Sequence, residues 1–417
     1  SKNLGFRKLF LMILRRRFGK RVLLVVIVFI LSFYFSALLF GDLKVPKVMH
    51  LTDLSHCPVC YGISVCPELY SNQVILDSSY SWSNIFNAKN IYQGFTTKNN
   101  RKIVLKKLAH NTELRLFDKE LCETWGLKPH CKPIDILNLT NIENKVIKEV
   151  SFDLTSPDIQ PRKGLVFCPY ADGFYDFLQP VLDMKKTNTK SYKAELINVW
   201  TMLAVNPEPI IIQVIPKSKG WPVPAYGGVC GRLELVANEG VPLSDLFIIE
   251  WVKKLQIAKN ILTAAMDFTF KHDRFRFYLM DWSQDNIVIN EKNQVAFVDL
   301  EDVIVLDKHI SPGKDLPEWY KRYSRDDPDP RYTFSIDSIC KHHLSDHNLW
   351  AACYVLAGDE DPLLYPMEPY DTKLDRYLQS CLKGYEDRFS TVRQLQRYID
   401  NMLDGRRGYA VLNDKVR

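Results

Sequence analysis

From Val22 to Gly41 the sequence runs VLLVVIVFILSFYFSALLFG without a charge, about the 20 residues that a helix needs to cross a bilayer. Backbone polar groups at that depth are satisfied only within a helix or a closed barrel, so the run predicts a single transmembrane helix. Lys2, Arg7, Lys8, Arg15, Arg16, Arg17, Lys20 and Arg21 precede it with no acidic residue among them. Such a cluster holds its flank on the cytosolic side and sends the C-terminal bulk into the lumen or outside the cell. A cleaved signal peptide has a shorter apolar region, on the order of 7–15 residues, ending at small residues. This run ends in Leu38-Leu39-Phe40, so it reads as a retained signal anchor.

Charge and cysteine usage agree with that topology. Eight of the 55 Lys and Arg residues lie in the tail, which leaves 47 against 49 acidic residues for the remainder. A domain so balanced has no global basic field, and no nucleic-acid partner is expected. All ten cysteines follow the anchor, an even number that suggests disulfides in an oxidising compartment. Cys57-Pro58-Val59-Cys60 could instead open a zinc or redox site, but no second CxxC and no HxxxH follows, so structural bridges are the expectation. The sequon Asn138-Leu139-Thr140 fits a glycosylated lumenal loop.

The sequence divides into a basic cytosolic tail (1–21), the anchor (22–41), a Cys-rich lumenal segment (42–85) and two lobes (86–240, carrying an insertion, and 241–417). Ile91 to Phe95 and Lys102 to Leu108 flank a polar turn, as a hairpin would. Asn111 begins a helix-start signature followed by apolar residues at helical spacing. Pro209 to Ile215 and Leu233 to Ala237 are strand-like, and Trp251 to Phe270 is helical in period.

The chemistry-bearing stretch follows, at Tyr278-Leu279-Met280-Asp281-Trp282-Ser283-Gln284-Asp285-Asn286-Ile287-Val288-Ile289-Asn290, and then Val295-Ala296-Phe297-Val298-Asp299-Leu300-Glu301. Two apolar strands each deliver an acid into a loop, with an Asn between. Phosphoryl transfer needs such a set: one carboxylate to accept a hydroxyl proton, and an Asn and a second carboxylate to hold a divalent cation on the phosphates. An isolated Asp and Asn five apart usually just cap turns. The order of several parts argues for more. It resembles the protein-kinase signature set, and the resemblance spans about residues 86–400.

On that resemblance Asp281 is the catalytic base, and Asn286 and Asp299 hold the metal. Lys106 anchors the phosphates, and Glu113, or Glu120 two turns on, is its helix partner. The cofactor implied is ATP with Mg²⁺ or Mn²⁺. Ser345-Asp346-His347-Asn348-Leu349-Trp350 is similar to the start of the helix whose Asp braces the catalytic loop. The fold class expected is α+β, a two-lobed protein-kinase-like fold behind one N-terminal transmembrane helix.

Cys57 to Cys66, Asn206-Pro207-Glu208-Pro209, Gly220-Trp221-Pro222 and the loop around Asp281 resemble more narrowly the divergent protein-kinase-domain family of the secretory pathway that includes the deleted-in-autism protein. Membership implies a Golgi, endoplasmic-reticulum or released protein with a secretory or extracellular partner. No DxDxDG-type run occurs, which argues against an inserted calcium loop. Four departures stand out: glycine-rich-loop content reduced to Gly94, Leu279-Met280 in place of His-Arg, Ser283 in place of a Lys, and Glu301 in place of a Gly. Two principal readings follow, a phosphotransferase acting on secretory proteins or glycans, and a pseudokinase serving as a lumenal or secreted binding module. A Golgi glycosyltransferase is a third, with Asp327-Pro328-Asp329 or Asp359-Glu360-Asp361 as its DxD, although both read better as solvated turns. His342, His343 and His347 read as capping or surface residues.

Overall fold

The computed structural model describes residues 48–77, 91–124, 126–128, 165–168, 173–186, 192–246, 248–309 and 339–414, with single positions 28, 131 and 135. Apart from Val28, the anchor read over 22–41 lies outside the described residues, as do the sequon at Asn138 and the Asp327-Pro328-Asp329 turn. Among the described residues no helix is long and apolar enough to cross a membrane.

Strand β1 (Val74–Leu76) leads to β2 (Ile91–Thr96) and β3 (Lys102–Lys107), which form the hairpin that the alternation predicts. Helix α1 (Asn111–Thr124) follows, starting where its cap signature stands. Then come β4 (Val166–Phe167), α2 (Phe174–Lys186), α3 (Tyr192–Val205) and α4 (Glu208–Val214). Strands β5 (Tyr226–Cys230) and β6 (Leu233–Ala237) complete a five-stranded antiparallel sheet of order β1-β2-β3-β6-β5. β1 belongs to the stretch read as the Cys-rich lumenal segment, and more of that stretch is fastened here. The Tyr61 N–H donates to the Gly231 carbonyl (2.8 Å), and the Arg232 N–H donates to that of Thr52 (2.7 Å).

The strand expected over 209–215 is instead helix α4. Every one of its residues is buried, so the run is apolar on all sides and carries no period to separate helix from strand. The prolines decide it: Pro207 and Pro209 bracket the first turn, where a missing N–H costs nothing.

C-terminal to that sheet, β7 (Val241–Pro242) precedes α5 (Trp251–Phe270), whose bounds match the expected helix. After it come β8 (Phe275–Leu279), β9 (Ile287–Ile289), β10 (Val295–Phe297) and β11 (Val303–Asp307). Two small sheets result, β10-β9-β7 and β4-β11-β8. Helices α6 (His347–Ala357), α7 (Thr372–Lys383) and α8 (Arg388–Asp414) follow. An aromatic cluster fills the space between α2, α5 and the strands: Phe177 meets Phe275 edge-on at 5.7 Å, and Phe268 meets Phe297 at 5.4 Å.

All ten cysteines are paired, as Cys57–Cys60, Cys66–Cys230, Cys122–Cys131, Cys168–Cys340 and Cys353–Cys381. The CxxC pair is thus bonded within itself, and the bridge expectation holds over the zinc one. Cys66–Cys230 ties the Cys-rich segment to β5, and Cys168–Cys340 ties the β4 region to the residues just before α6.

Candidate active site

Lys106 lies on β3 and Glu208 in the first turn of α4. Their side chains meet in the interior, with the Lys106 ammonium donating to both Glu208 oxygens at 2.7 and 2.8 Å. Glu208 Oε1 also accepts the backbone N–H of Asp299 (3.1 Å), and Asp299 Oδ1 stands 3.9 Å from the ammonium. One carboxylate therefore joins the sheet, a helix and the loop after β10. Burial alone would lower the Lys106 amine, but the carboxylates of Glu208, Asp299 and Glu234 outweigh it and raise its pKa.

The partner expected for Lys106 was Glu113, with Glu120 as the alternative, and the structure brings neither to it. The Glu113 carboxylate accepts the His110 N–H at 2.8 Å, capping the start of α1, and Glu120 is exposed on the same helix. The physical reason is that α1 starts too soon after β3 to swing under the sheet, while α4 returns there after the insertion.

Asp299 has φ 63°, a left-handed conformation uncommon outside glycine and of the kind that collects at functional sites. The loop between β8 and β9 supplies the other two residues. Asp281 Oδ2 accepts from Asn286 Nδ2 (2.9 Å), and Oδ1 accepts the Ser283 N–H (2.9 Å). Asn286 is 2% exposed, and its carbonyl accepts the Val298 N–H (2.9 Å), which draws the segment ending in Asp299 alongside. Asp281, Asn286 and Asp299 are thus linked through backbone and side chain, with Lys106 and Glu208 beside Asp299.

Two of the departures noted in the sequence have a local counterpart. Glu301 accepts from Asn206 Nδ2 (2.7 Å), and Asn206 also donates to the Leu108 carbonyl (3.1 Å) while its Oδ1 receives the Glu208 N–H (3.0 Å). Asn206 is a clip between β3, α4 and the loop of Asp299. In place of an Arg-mediated link, the strand leading to Asp281 is held from α6. Asn348 receives the Leu279 N–H (3.1 Å) and donates to Phe277 O (2.7 Å), and His347 Nε2 lies 2.9 Å from Leu279 O. His347 is 3% exposed, which corrects the surface half of its capping-or-surface reading: its ring reaches the backbone at the end of β8. Asp346 pairs with Arg388, both fully buried. Gly94 has no loop role. It sits within β2, where a Cβ would come 2.3 Å from the Ile75 carbonyl of β1, so close strand packing requires it.

Sequence reasoning missed Glu208, although the Asn206-Pro207-Glu208-Pro209 motif, with its cap-like Asn, Pro and acid, marks a helix start. It also missed Glu234, directly opposite Lys106 across the β3–β6 ladder. Glu234 is wholly buried, and neither of its oxygens has a hydrogen-bond partner. Burial, then the neighbouring Glu208 and Asp299, pushes its carboxyl well above the usual carboxylate range, with Lys106 opposing. The acid inside Leu233-Glu234-Leu235-Val236-Ala237 was the readable signal.

Comparison with known proteins bears on this geometry. The family described as "Protein-kinase domain of FAM69" matches residues 199–384, a span that holds Glu208, Asp281, Asn286 and Asp299. "Divergent protein kinase domain 2A" of Homo sapiens is 28% identical over 407 residues, covering 86% of this chain and 93% of that protein. Its Xenopus tropicalis counterpart is 28% identical over 386 residues, covering 85% of this chain and 88% of that protein. These likenesses support a divergent protein-kinase-domain family for the chain. "Divergent protein kinase domain 2B" of Mus musculus is similar at 23% over 266 residues, covering 61% of this chain and 60% of that protein. The kinase-like domain and its mixed α/β content fit that family.

Proposed function

We propose that this protein is an ATP- and divalent-cation-dependent phosphotransferase of the secretory pathway, anchored through residues 22–41 with the kinase-like domain in the Golgi or endoplasmic-reticulum lumen, or released from it. The observation that carries the reading is the closed pair of Lys106 and Glu208 with the Asp299 N–H bound to the same carboxylate. In phosphoryl transfer the protein contributes positioning and charge, and this pair is the part that must be in place.

Asp281 would take the proton of the acceptor hydroxyl as its oxygen bonds to the γ-phosphorus and the bond to ADP breaks. Lys106 would neutralise the α- and β-phosphates. Among the described residues no three His, Cys, Asp or Glu cluster as a metal cage. Mg²⁺, or Mn²⁺ in similar coordination, is held in sites of this kind by one or two carboxylates, with phosphate oxygens and water completing the shell. Asp299 would supply the carboxylate and Asn286, whose Nδ2 is committed to Asp281, the amide oxygen. When bound, the ion supplies charge neutralisation on the transferred phosphoryl group. The pairing of all ten cysteines supports a lumenal domain.

The binding-module reading draws support from a different observation. The connection from β1 to β2, residues 77–90, contains no glycine, and Gly94 is committed to strand packing, so a backbone cradle for phosphates lacks its usual residues. Thermal unfolding of the protein with and without ATP plus Mg²⁺ or Mn²⁺, beside an Asp299→Ala control, separates the two. Stabilisation of about 2.7 kcal/mol at a hundredfold excess over Kd, lost in the control, supports the phosphotransferase. No shift with either metal leaves the binding module.

A further inference from the structure

The loop that carries Asp281 forms one wall of a cavity of about 710 Å³, within the range of small-ligand and peptide side-chain sites. Opposite it stand the Glu360–Pro366 loop and part of α6, and the segment after β7 closes a third side. Among the described residues its charge is one-sided: Asp281, Asp285, Glu360 and Asp361 line it against Lys254. Asp285, Glu360 and Asp361 are exposed, with Ser244 donating to Asp285 at 2.5 Å. Between the carboxylates the walls are apolar, from Leu246, Ile249 and Leu363.

Carboxylates converging on a cleft with low-dielectric walls concentrate a negative potential within it. That field repels acidic peptides and phosphorylated or sulfated groups, and it draws cations in. A neutral sugar gains nothing from that field. We infer that the cavity binds a peptide segment of a partner protein in which a hydroxyl residue is flanked by Lys or Arg and by an apolar side chain. The basic groups meet Asp285, Glu360 and Asp361, the apolar one enters between Leu246 and Leu363, and the hydroxyl is left beside Asp281. The acceptor role of that hydroxyl rests on the phosphotransferase reading. The binding preference does not.

The test is fluorescence anisotropy of labelled serine peptides against the full chain: one with Arg and Leu flanking the serine, one with Glu replacing Arg, and a neutral oligosaccharide as competitor. The variant is Glu360→Lys with Asp361→Lys, two exposed positions apart from the nucleotide residues. The expected result is binding of the basic peptide that weakens in salt and falls roughly tenfold or more in the variant, with any ATP-induced thermal shift unchanged. Equal binding of the acidic peptide, unchanged binding in the variant, or displacement by the oligosaccharide overturns the inference. An ATP shift without peptide discrimination overturns it too and leaves the phosphotransferase standing; discrimination without an ATP shift does the reverse.

Discussion

Glu208→Ala tests the centre of the site. The substitution removes both hydrogen bonds to Lys106 and the acceptor of the Asp299 N–H, leaving a buried ammonium. Breaking a buried pair by deleting one partner costs about 3–5 kcal/mol. Here the low end applies, because Asp299 Oδ1 at 3.9 Å stays near Lys106 and Glu234 loses a like-charged neighbour. The folded unit spans Val48–Arg417. At about 2.1 cal/mol/K of unfolding entropy per residue, roughly 370 residues give about 0.8 kcal/mol per degree, so 3 kcal/mol lowers Tm by about 4 °C. Glu113→Ala removes one capping contact from a partly exposed site and should cost about 0.5–1 kcal/mol, close to 1 °C. Replacing the pair together, as Lys106→Met with Glu208→Leu, should restore most of the loss. Circular dichroism melts under non-reducing conditions read all three. A Glu113→Ala loss equal to that of Glu208→Ala would refute the assignment of the lysine's partner.

Three further expectations follow from buried groups. Glu234→Gln should raise Tm at neutral pH. The folded carboxyl titrates above its unfolded counterpart, so the native state holds the extra proton and wild-type stability falls as pH rises above roughly 4.3, by up to about 1.4 kcal/mol per pH unit. The gap between variant and wild type should therefore close below that pH, and a gap independent of pH would count against the shift. Asp346→Ala strands the buried Arg388 guanidinium, which also donates to Cys381 O at 2.6 Å, and should cost about 3–5 kcal/mol in urea denaturation. Removing Cys66–Cys230 should destabilise more than removing Cys57–Cys60, because they close loops of 164 and 3 residues, about 5 against about 1.6 kcal/mol in the chain-entropy account. Paired Cys→Ser melts give the order.

What was legible in the sequence was local. The β2–β3 hairpin, helix Trp251–Phe270 and the loop from Asp281 to Asn286 are read from neighbours in the chain, and there alternation and period suffice. Glu208 was not legible in that way. It lies 102 residues from Lys106, beyond an insertion, on a helix buried on every face, where hydrophobic pattern has no contrast to offer. Its cap signature was present and was outweighed by three consecutive isoleucines. Glu234 was hidden by the opposite effect: a strand of high apolar content makes one acid look like noise, until the β3–β6 register sets it against Lys106.

The departures from the kinase pattern differ in kind once their partners are known. Glu301 in place of glycine is engaged by Asn206, and the missing His-Arg is answered by His347 and Asn348 holding Leu279. Both replacements fix backbone position, and both leave Asp281, Asn286 and Asp299 linked through one network. No glycine in residues 77–90 replaces the phosphate cradle, and a hydroxyl at Ser283 cannot supply a lysine's charge. On the phosphotransferase reading, the fold keeps the proposed base and metal ligands in place and lacks part of the attraction for the phosphates. Such a site should depend on the cation more steeply than a site with a full cradle, because the ion and Lys106 must then carry most of the phosphate charge.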